Sequence, residues 1–82
     1  MNDETELYTT TDFYTTAILI SKKFQVIKLT TQGNWNHIKR FHFSDSPELR
    51  EIVLLYMNRQ LDGNLRDFRD AIEVVKDLVH SN

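Results

Sequence analysis

The sequence contains no cysteine, one proline and two glycines. Without cysteine there is neither a disulfide framework nor a thiolate zinc site, and this composition fits a reducing compartment. Two glycines are too few for a phosphate-cradling loop. No serine lies in the Gly-x-Ser-x-Gly pattern of a nucleophile elbow. We therefore expect a chain that is not an enzyme and that uses no cofactor and no small-molecule substrate.

Long apolar runs are also missing. The longest are Ala17–Ile20 and Ile52–Met57, far short of the ~20 residues that a helix needs to span a bilayer. The first residues, Met-Asn-Asp-Glu, are acidic and do not match the basic start of a secretory signal. These features predict a soluble, cytoplasmic protein without membrane contact.

The length and the charge distribution describe one small domain with a basic middle. The 82 residues suit a single domain, 1–82, of which we expect 1–5 to be frayed. Ten basic and twelve acidic residues leave a formal charge of −2. Residues 20–42 nevertheless hold five bases and no acid, between acidic flanks at 1–19 and 43–82. Such a basic segment can mark a site for an anionic partner.

Apolar spacing predicts the first helix. The residues that recur every three or four positions are Phe13, Ala17, Ile20 and Phe24. Thr11 and Asp12 are suitable N-cap residues, so we place helix 1 at about 12–22. The preceding segment, Glu6–Thr10, has β-branched and aromatic residues and predicts a short strand.

Residues 24–44 have the pattern of a β-hairpin. Residues 24–31 are rich in β-branched side chains, residues 36–44 alternate, and the Gln-Gly-Asn sequence at 32–34 is typical of a turn. The sequence leaves open the edge at which the first strand joins this hairpin.

Two further helices follow the hairpin. Ser46, Pro47 and Glu48 have the chemistry of a helix start, and helix 2 should run to about Gln60. Asn64 can cap helix 3 at about 65–80. The order β-α-β-β-α-α predicts a two-layer α+β fold, with the helices on one face of a small, mostly antiparallel sheet.

Helix 2 is apolar around more of its circumference than a single sheet contact requires. One interpretation is that it is the central helix, touching the sheet and both other helices. The other is that its surplus face forms a homodimer or binds a partner protein. The candidate interface residues are Leu54, Leu55 and Met57.

The basic hairpin is a candidate nucleic-acid or anion site. Alternation directs Phe41 and Phe43 towards the helices and leaves Arg40 and His42 on the open face. The candidate contact residues are Lys28, Trp35, Lys39, Arg40 and His42. A solvated or protein-contacting face is the competing interpretation, because the net charge is negative and the strands lack the paired aromatics of sheet-type RNA binders. His37 and His42 lie five apart in one strand and so point to opposite faces, which disfavours a metal site.

The order of several motifs resembles a small family of uncharacterised domains found in phages, prophages and bacteria. The matching motifs are Thr10-Thr11-Asp12, Ala17 in helix 1, Phe41-x-Phe43, Ser46-Pro47-Glu48-Leu49-Arg50 with Val53 and Tyr56, and Asn64 before Phe68 and Val75-Lys76. The resemblance implies the fold and a mobile-element origin, and it brings no catalytic residues. In that family glycine usually follows the lysine that closes helix 1, where this chain has Lys23.

The sequence as a whole favours a non-enzymatic module that acts by protein–protein contact, either with itself or with a host or phage protein. The alternative is a nucleic-acid-binding module that uses the hairpin at 24–44.

Overall fold

The computed structural model describes residues 6–32 and 38–80. The described residues form three strands and three helices in the predicted order, which confirms the α+β class. The elements are β1 Leu7–Thr10, α1 Phe13–Ser21, β2 Val26–Gln32, β3 Ile38–Ser44, α2 Pro47–Met57 and α3 Leu65–His80. The predictions of fraying at 1–5 and of a turn beyond Gln32 fall outside the described residues.

β3 is the central strand of an antiparallel sheet in the order β1-β3-β2. β1 therefore joins the hairpin beside β3. Tyr8 and Val26 both lie opposite Phe43, and Leu29 lies opposite Phe41. Because residues directly opposite each other share a face, these five side chains lie on the face that the helices cover.

The core lies between this face of the sheet and the three helices. Phe41 and Phe43 are 2% and 0% exposed, as expected for the helix-facing positions of β3. The helices contribute Ala17, Leu19, Leu49, Ala71 and Val75. Each large apolar side chain contributes about 1.5–3 kcal/mol on full burial, so this cluster is the main source of stability.

Each helix begins at a capping residue that the sequence indicates. The side-chain oxygens of Asp12, Ser46 and Asn64 each accept a hydrogen bond from the backbone N–H three residues further on, at 2.7, 3.1 and 3.0 Å. These bonds satisfy donors that have no partner within the helix. The three helix starts are therefore determined by local side-chain chemistry.

α2 is shorter than predicted, because it ends at Met57 rather than near Gln60. Arg59 adopts a φ of 60°, in the left-handed region. The N–H of Gln60 donates to the carbonyl of Leu55 at 2.9 Å. This bond is characteristic of a Schellman motif, which ends an α-helix. The sequence lacks the glycine that usually marks such an end.

α1, rather than α2, is the central helix of the described chain. α3 packs along α1, and α1 also contacts α2. Thr16, Ala17 and Leu19 of α1 are all buried. This packing does not match the interpretation in which helix 2 is the central helix. The four consecutive apolar residues Ala17–Ile20 of the short α1 are all buried or half-buried.

Candidate functional site

A groove of about 560 Å³ lies between β2 and α3. β2 is an edge strand, since it pairs only with β3 in the described sheet. The groove is lined by Ile20, Phe24, Gln25, Val26, Ile27, Lys28, Leu29, Val74 and Leu78. Most of these side chains are apolar, and the volume falls in the range of roughly 300–1,000 Å³ that is usual for binding clefts.

A β-bulge gives the β2 wall its apolar character. Val26 and Leu29 lie opposite the two buried phenylalanines of β3, so both face the core although three positions separate them. In a regular strand this spacing would place them on opposite faces. The register shift absorbs one extra residue, Ile27, whose side chain is 52% exposed and lines the groove. The bulge thus exposes an isoleucine beside the core.

α3 supplies the opposite wall. Val74 and Leu78 are four positions apart, and residues at this spacing form one ridge on a helix surface. Leu78 is half-buried against the core, whereas Val74 is 43% exposed. The ridge therefore continues the hydrophobic core outwards into solvent.

The α3 wall carries an acidic rim. A smaller cavity of about 190 Å³ shares Ile20 and Val74 with the groove, and Asp67 and Asp70 line it. Asp77 follows Val74 by three positions and so lies on the neighbouring helix surface. All three carboxylates are on exposed residues. The groove is thus bordered along α3 by side chains that attract cations.

The turn from α1 into β2 forms one end of the groove. Lys23 has a φ of 78°, and the N–H of Phe24 donates to the carbonyl of Leu19 at 3.0 Å. This is a second Schellman motif, here with lysine in place of the glycine that usually occupies the left-handed position. The turn positions Phe24 as part of the groove lining. Lys23 itself lines the smaller cavity beside Asp70.

The face of the sheet opposite the helices has His42 at its centre. Thr9 Oγ1 lies 3.2 Å from Nδ1 of the imidazole, and Thr30 Oγ1 lies 3.0 Å from Nε2. A neutral imidazole donates from one nitrogen and accepts at the other. In either neutral tautomer, one threonine hydroxyl accepts from the ring while the other donates to it. These contacts link all three strands and fix the orientation of the ring.

Two cationic residues share this open face with His42. Lys28 lies opposite His42, and Arg40 lies opposite Thr30, two positions along β3. The three described strands contain no Asp or Glu. Three of the five predicted nucleic-acid contacts, Lys28, Arg40 and His42, are therefore grouped on one basic surface.

The other two predicted contacts do not join this group. Lys39 lies on the same side of β3 as Phe41, because alternate residues share a face. Its Nζ donates to Oγ1 of Thr31 at 3.3 Å. Trp35 lies outside the described residues. The basic surface is therefore smaller than the predicted site.

The predicted protein-interface residues of α2 differ in exposure. Leu54 and Met57 are 57% and 71% exposed, and their spacing of three positions puts them on one side of the helix. Leu55 is half-buried. The described α2 surface thus presents a small apolar pair.

An ion pair ties the start of α2 to the sheet. Nε and Nη2 of Arg50 each donate to one oxygen of Asp45, both at 2.8 Å. The guanidinium carbon lies 5.0 Å from the centroid of the Tyr8 ring. The hydrogen bonds from Arg50 hold the pKa of Asp45 below its ordinary value of 3.8, and the same bonds raise the pKa of Arg50. The sequence alone did not predict this contact, which has a structural role.

Within residues 6–32 and 38–80, no helix has the length and hydropathy needed to cross a bilayer. In the same part of the chain, no three His, Asp or Glu side chains converge on a position that could hold a metal ion.

The fold and these surfaces define a class of protein: a small α+β domain with a three-stranded antiparallel sheet, a basic open face and an apolar groove at one edge. The chain belongs to the family described as Domain of unknown function (DUF5659), whose model matches residues 5–81. The match confirms the resemblance of the chain to a family of unknown function. No curated protein and no solved structure matches the chain significantly.

Proposed function

We propose that this domain is a non-enzymatic module that acts by binding another protein through the groove between β2 and α3. The single observation that supports this proposal is the apolar lining of the groove, in which Ile27 and Val74 keep about half of their side chains exposed. Concave apolar surfaces of this kind are typical of binding sites. Covering a fully exposed side chain of this size contributes about 1.5–3 kcal/mol, so a partner that covers both gains usable binding energy.

We further propose a phage or bacterial origin and a cytoplasmic location for this protein. The resemblance to phage, prophage and bacterial domains supports a phage or bacterial source. The lack of cysteine fits action in the cytoplasm, a reducing compartment.

A selection from a library of random peptides, displayed against the immobilised full chain, tests the proposed contact. Val74→Lys places a charge in the groove, and Leu65→Lys places the same charge on the same helix, at a residue 84% exposed and outside the groove lining. Selected peptides should bind the wild type and Leu65→Lys equally and should lose affinity for Val74→Lys. Equal affinity for all three proteins, or no enrichment of any peptide, would contradict the proposal.

A second candidate function is nucleic-acid binding on the open face. The observation that favours it is the grouping of Lys28, Arg40 and His42 on a sheet whose described strands lack acids. Cations on such a surface bind phosphates and release counterions, which makes affinity depend on salt.

Charge reversal separates this candidate from non-specific attraction. Lys28→Glu and Arg40→Glu should weaken binding of single-stranded DNA or RNA and should flatten its salt dependence. Lys76→Glu makes the same change of net charge on the exposed surface of α3 and serves as the control. If the salt dependence of affinity is unchanged in the Lys28 and Arg40 variants, direct phosphate contact by these residues is excluded.

A further inference from the structure

We propose, resting on the proposed protein-binding function, that the occupant of the groove is a basic amphipathic helix of a partner protein. Its apolar residues, at i, i+3 or i+4 and i+7, would lie between the Val74–Leu78 ridge and Ile27 of β2. Its Lys or Arg residues would face the acidic rim of α3. Helices that lie in an apolar groove bind with this spacing of anchors.

The edge of β2 is protected against the addition of an extended strand. The bulge at Ile27 disturbs the regular ladder next to the groove. Lys28 lies directly beyond it, and its side chain is exposed. Bulges and lysines on edge strands are the features by which sheets avoid pairing with another strand. The groove therefore suits side chains presented by a helix better than a backbone that adds to the sheet.

The charges around the groove disfavour a second copy of this chain. A twofold contact places the same surface of each copy against itself. Two grooves that met with their α3 helices side by side would bring Asp70 and Asp77 of one copy close to acidic side chains of the other. Like charges held close together oppose association. The partner that this surface suits is one of opposite charge.

The acidic rim identifies the charge of the occupant. Asp67 and Asp70 lie beside Val74 in the smaller cavity that adjoins the groove, and Asp77 is one turn further along α3. Lys23 and Lys28 are the bases at the α1 turn and on the β2 wall. A bound helix that packs along α3 thus meets three carboxylates on that side. Lys or Arg on that flank pairs with them, while Asp or Glu is repelled.

Three synthetic peptides of ~18 residues, long enough to form a helix, test this assignment. The first carries Leu at i, i+3, i+4 and i+7 and Lys elsewhere. The second replaces every Lys with Glu. The third is the Lys peptide with a central Pro pair, which breaks the helix. Each is titrated into the isotope-labelled full chain, and the backbone amide shifts are followed by NMR.

The Lys peptide should give saturable shifts centred on Ile27, Val74 and Leu78. The affinities of the Glu and Pro peptides should be lower by about tenfold or more. Asp70→Lys should weaken binding of the Lys peptide by about three- to tenfold, as expected for a charge at an interface rim. Glu51→Lys makes the same change of net charge on α2 and should leave the affinity unchanged.

Several results would overturn the inference. Equal binding of the Glu peptide would exclude a basic occupant, and equal binding of the Pro peptide would exclude a helical one. In either case, library peptides that bind the groove would show that the proposed function still stands. Shifts centred on Arg40 and His42, or no saturable shift, would also overturn it. If the library then yields no peptide sensitive to Val74→Lys, the proposed function fails as well. Sedimentation as a dimer that Val74→Lys dissociates would identify a second copy as the occupant instead.

Discussion

Ile27 and Val74 line the same groove from different elements, and their side chains are 52% and 43% exposed. Ile27 is there because a bulge adds one residue to β2, and Val74 because it lies at the edge of the apolar stripe of α3. Neither residue belongs to the fully buried core. The apolar surface that we assign to a protein contact is therefore created by the way the strand and the helix meet.

Val74→Lys should leave the domain folded, whereas Val75→Ala should destabilise it. Val74 is partly exposed and lysine is a good helix former, so the free energy of unfolding should change by less than about 0.5 kcal/mol. Val75 is 0% exposed, and its truncation should cost about 2 kcal/mol. Urea unfolding measures both values. If Val74→Lys lowers the free energy of unfolding as much as Val75→Ala does, then Val74 belongs to the core and not to a binding surface.

Lys23→Gly should stabilise the domain by about 1 kcal/mol. Lys23 has a φ of 78°, and the left-handed region costs a side-chain-bearing residue about 1–2 kcal/mol, part of which the greater entropy of unfolded glycine offsets. Lys22→Gly should not be stabilising, because Lys22 has a φ of −95° and its Nζ donates a hydrogen bond to the carbonyl of Asp62 at 2.6 Å. Thermal or urea unfolding decides the sign. A destabilised Lys23→Gly variant would contradict the assigned turn.

Asp45→Asn should remove a pH-dependent part of the stability. Arg50 lowers the pKa of Asp45 in the folded state, so the stabilisation is present in full above the ordinary value of 3.8. It is lost as the pH falls through the lowered folded-state value. The difference in unfolding free energy between wild type and variant should be larger at pH 7 than at pH 3. The same difference at both pH values would mean that the ion pair does not persist in solution. Glu51→Gln, which removes a carboxylate on the exposed surface of α2, is the control.

Leu54→Asp and Leu55→Asp should have different effects. Leu54 is 57% exposed, so an aspartate there should leave the fold intact. Leu55 is half-buried, and a carboxylate at that position should lower the free energy of unfolding by more than about 1 kcal/mol. Urea unfolding compares the two variants, and sedimentation reports any loss of association. Equal stability of both variants would contradict this placement of Leu55.

Local chemistry made much of the fold predictable. Asp12, Ser46 and Asn64 mark the helix starts because their side chains accept hydrogen bonds only a few residues away. The alternation of β3 predicted both the buried Phe41 and Phe43 and the exposed face that carries Arg40 and His42. These features depend on residues that are close in sequence.

The features that the sequence did not predict depend on backbone conformation or on distant contacts. The end of α2 depends on Arg59 in the left-handed region, and no glycine in the sequence marks this position. The bulge at Ile27 depends on the pairing of β2 with β3. Val74 lies at the edge of the apolar stripe of α3, and the exposed acids Asp70 and Asp77 beside it are a signal that the stripe ends there. The groove combines the last two features, so local patterns alone could not locate it.

The most direct test of the central claim compares the affinity of one library-selected peptide for the wild type, Val74→Lys and Leu65→Lys. Our account predicts a loss of about tenfold or more for Val74→Lys, because the charge replaces an apolar contact in the groove. It also predicts unchanged affinity for Leu65→Lys. Equal affinity for wild type and Val74→Lys would contradict the assignment of the groove as the protein-binding site.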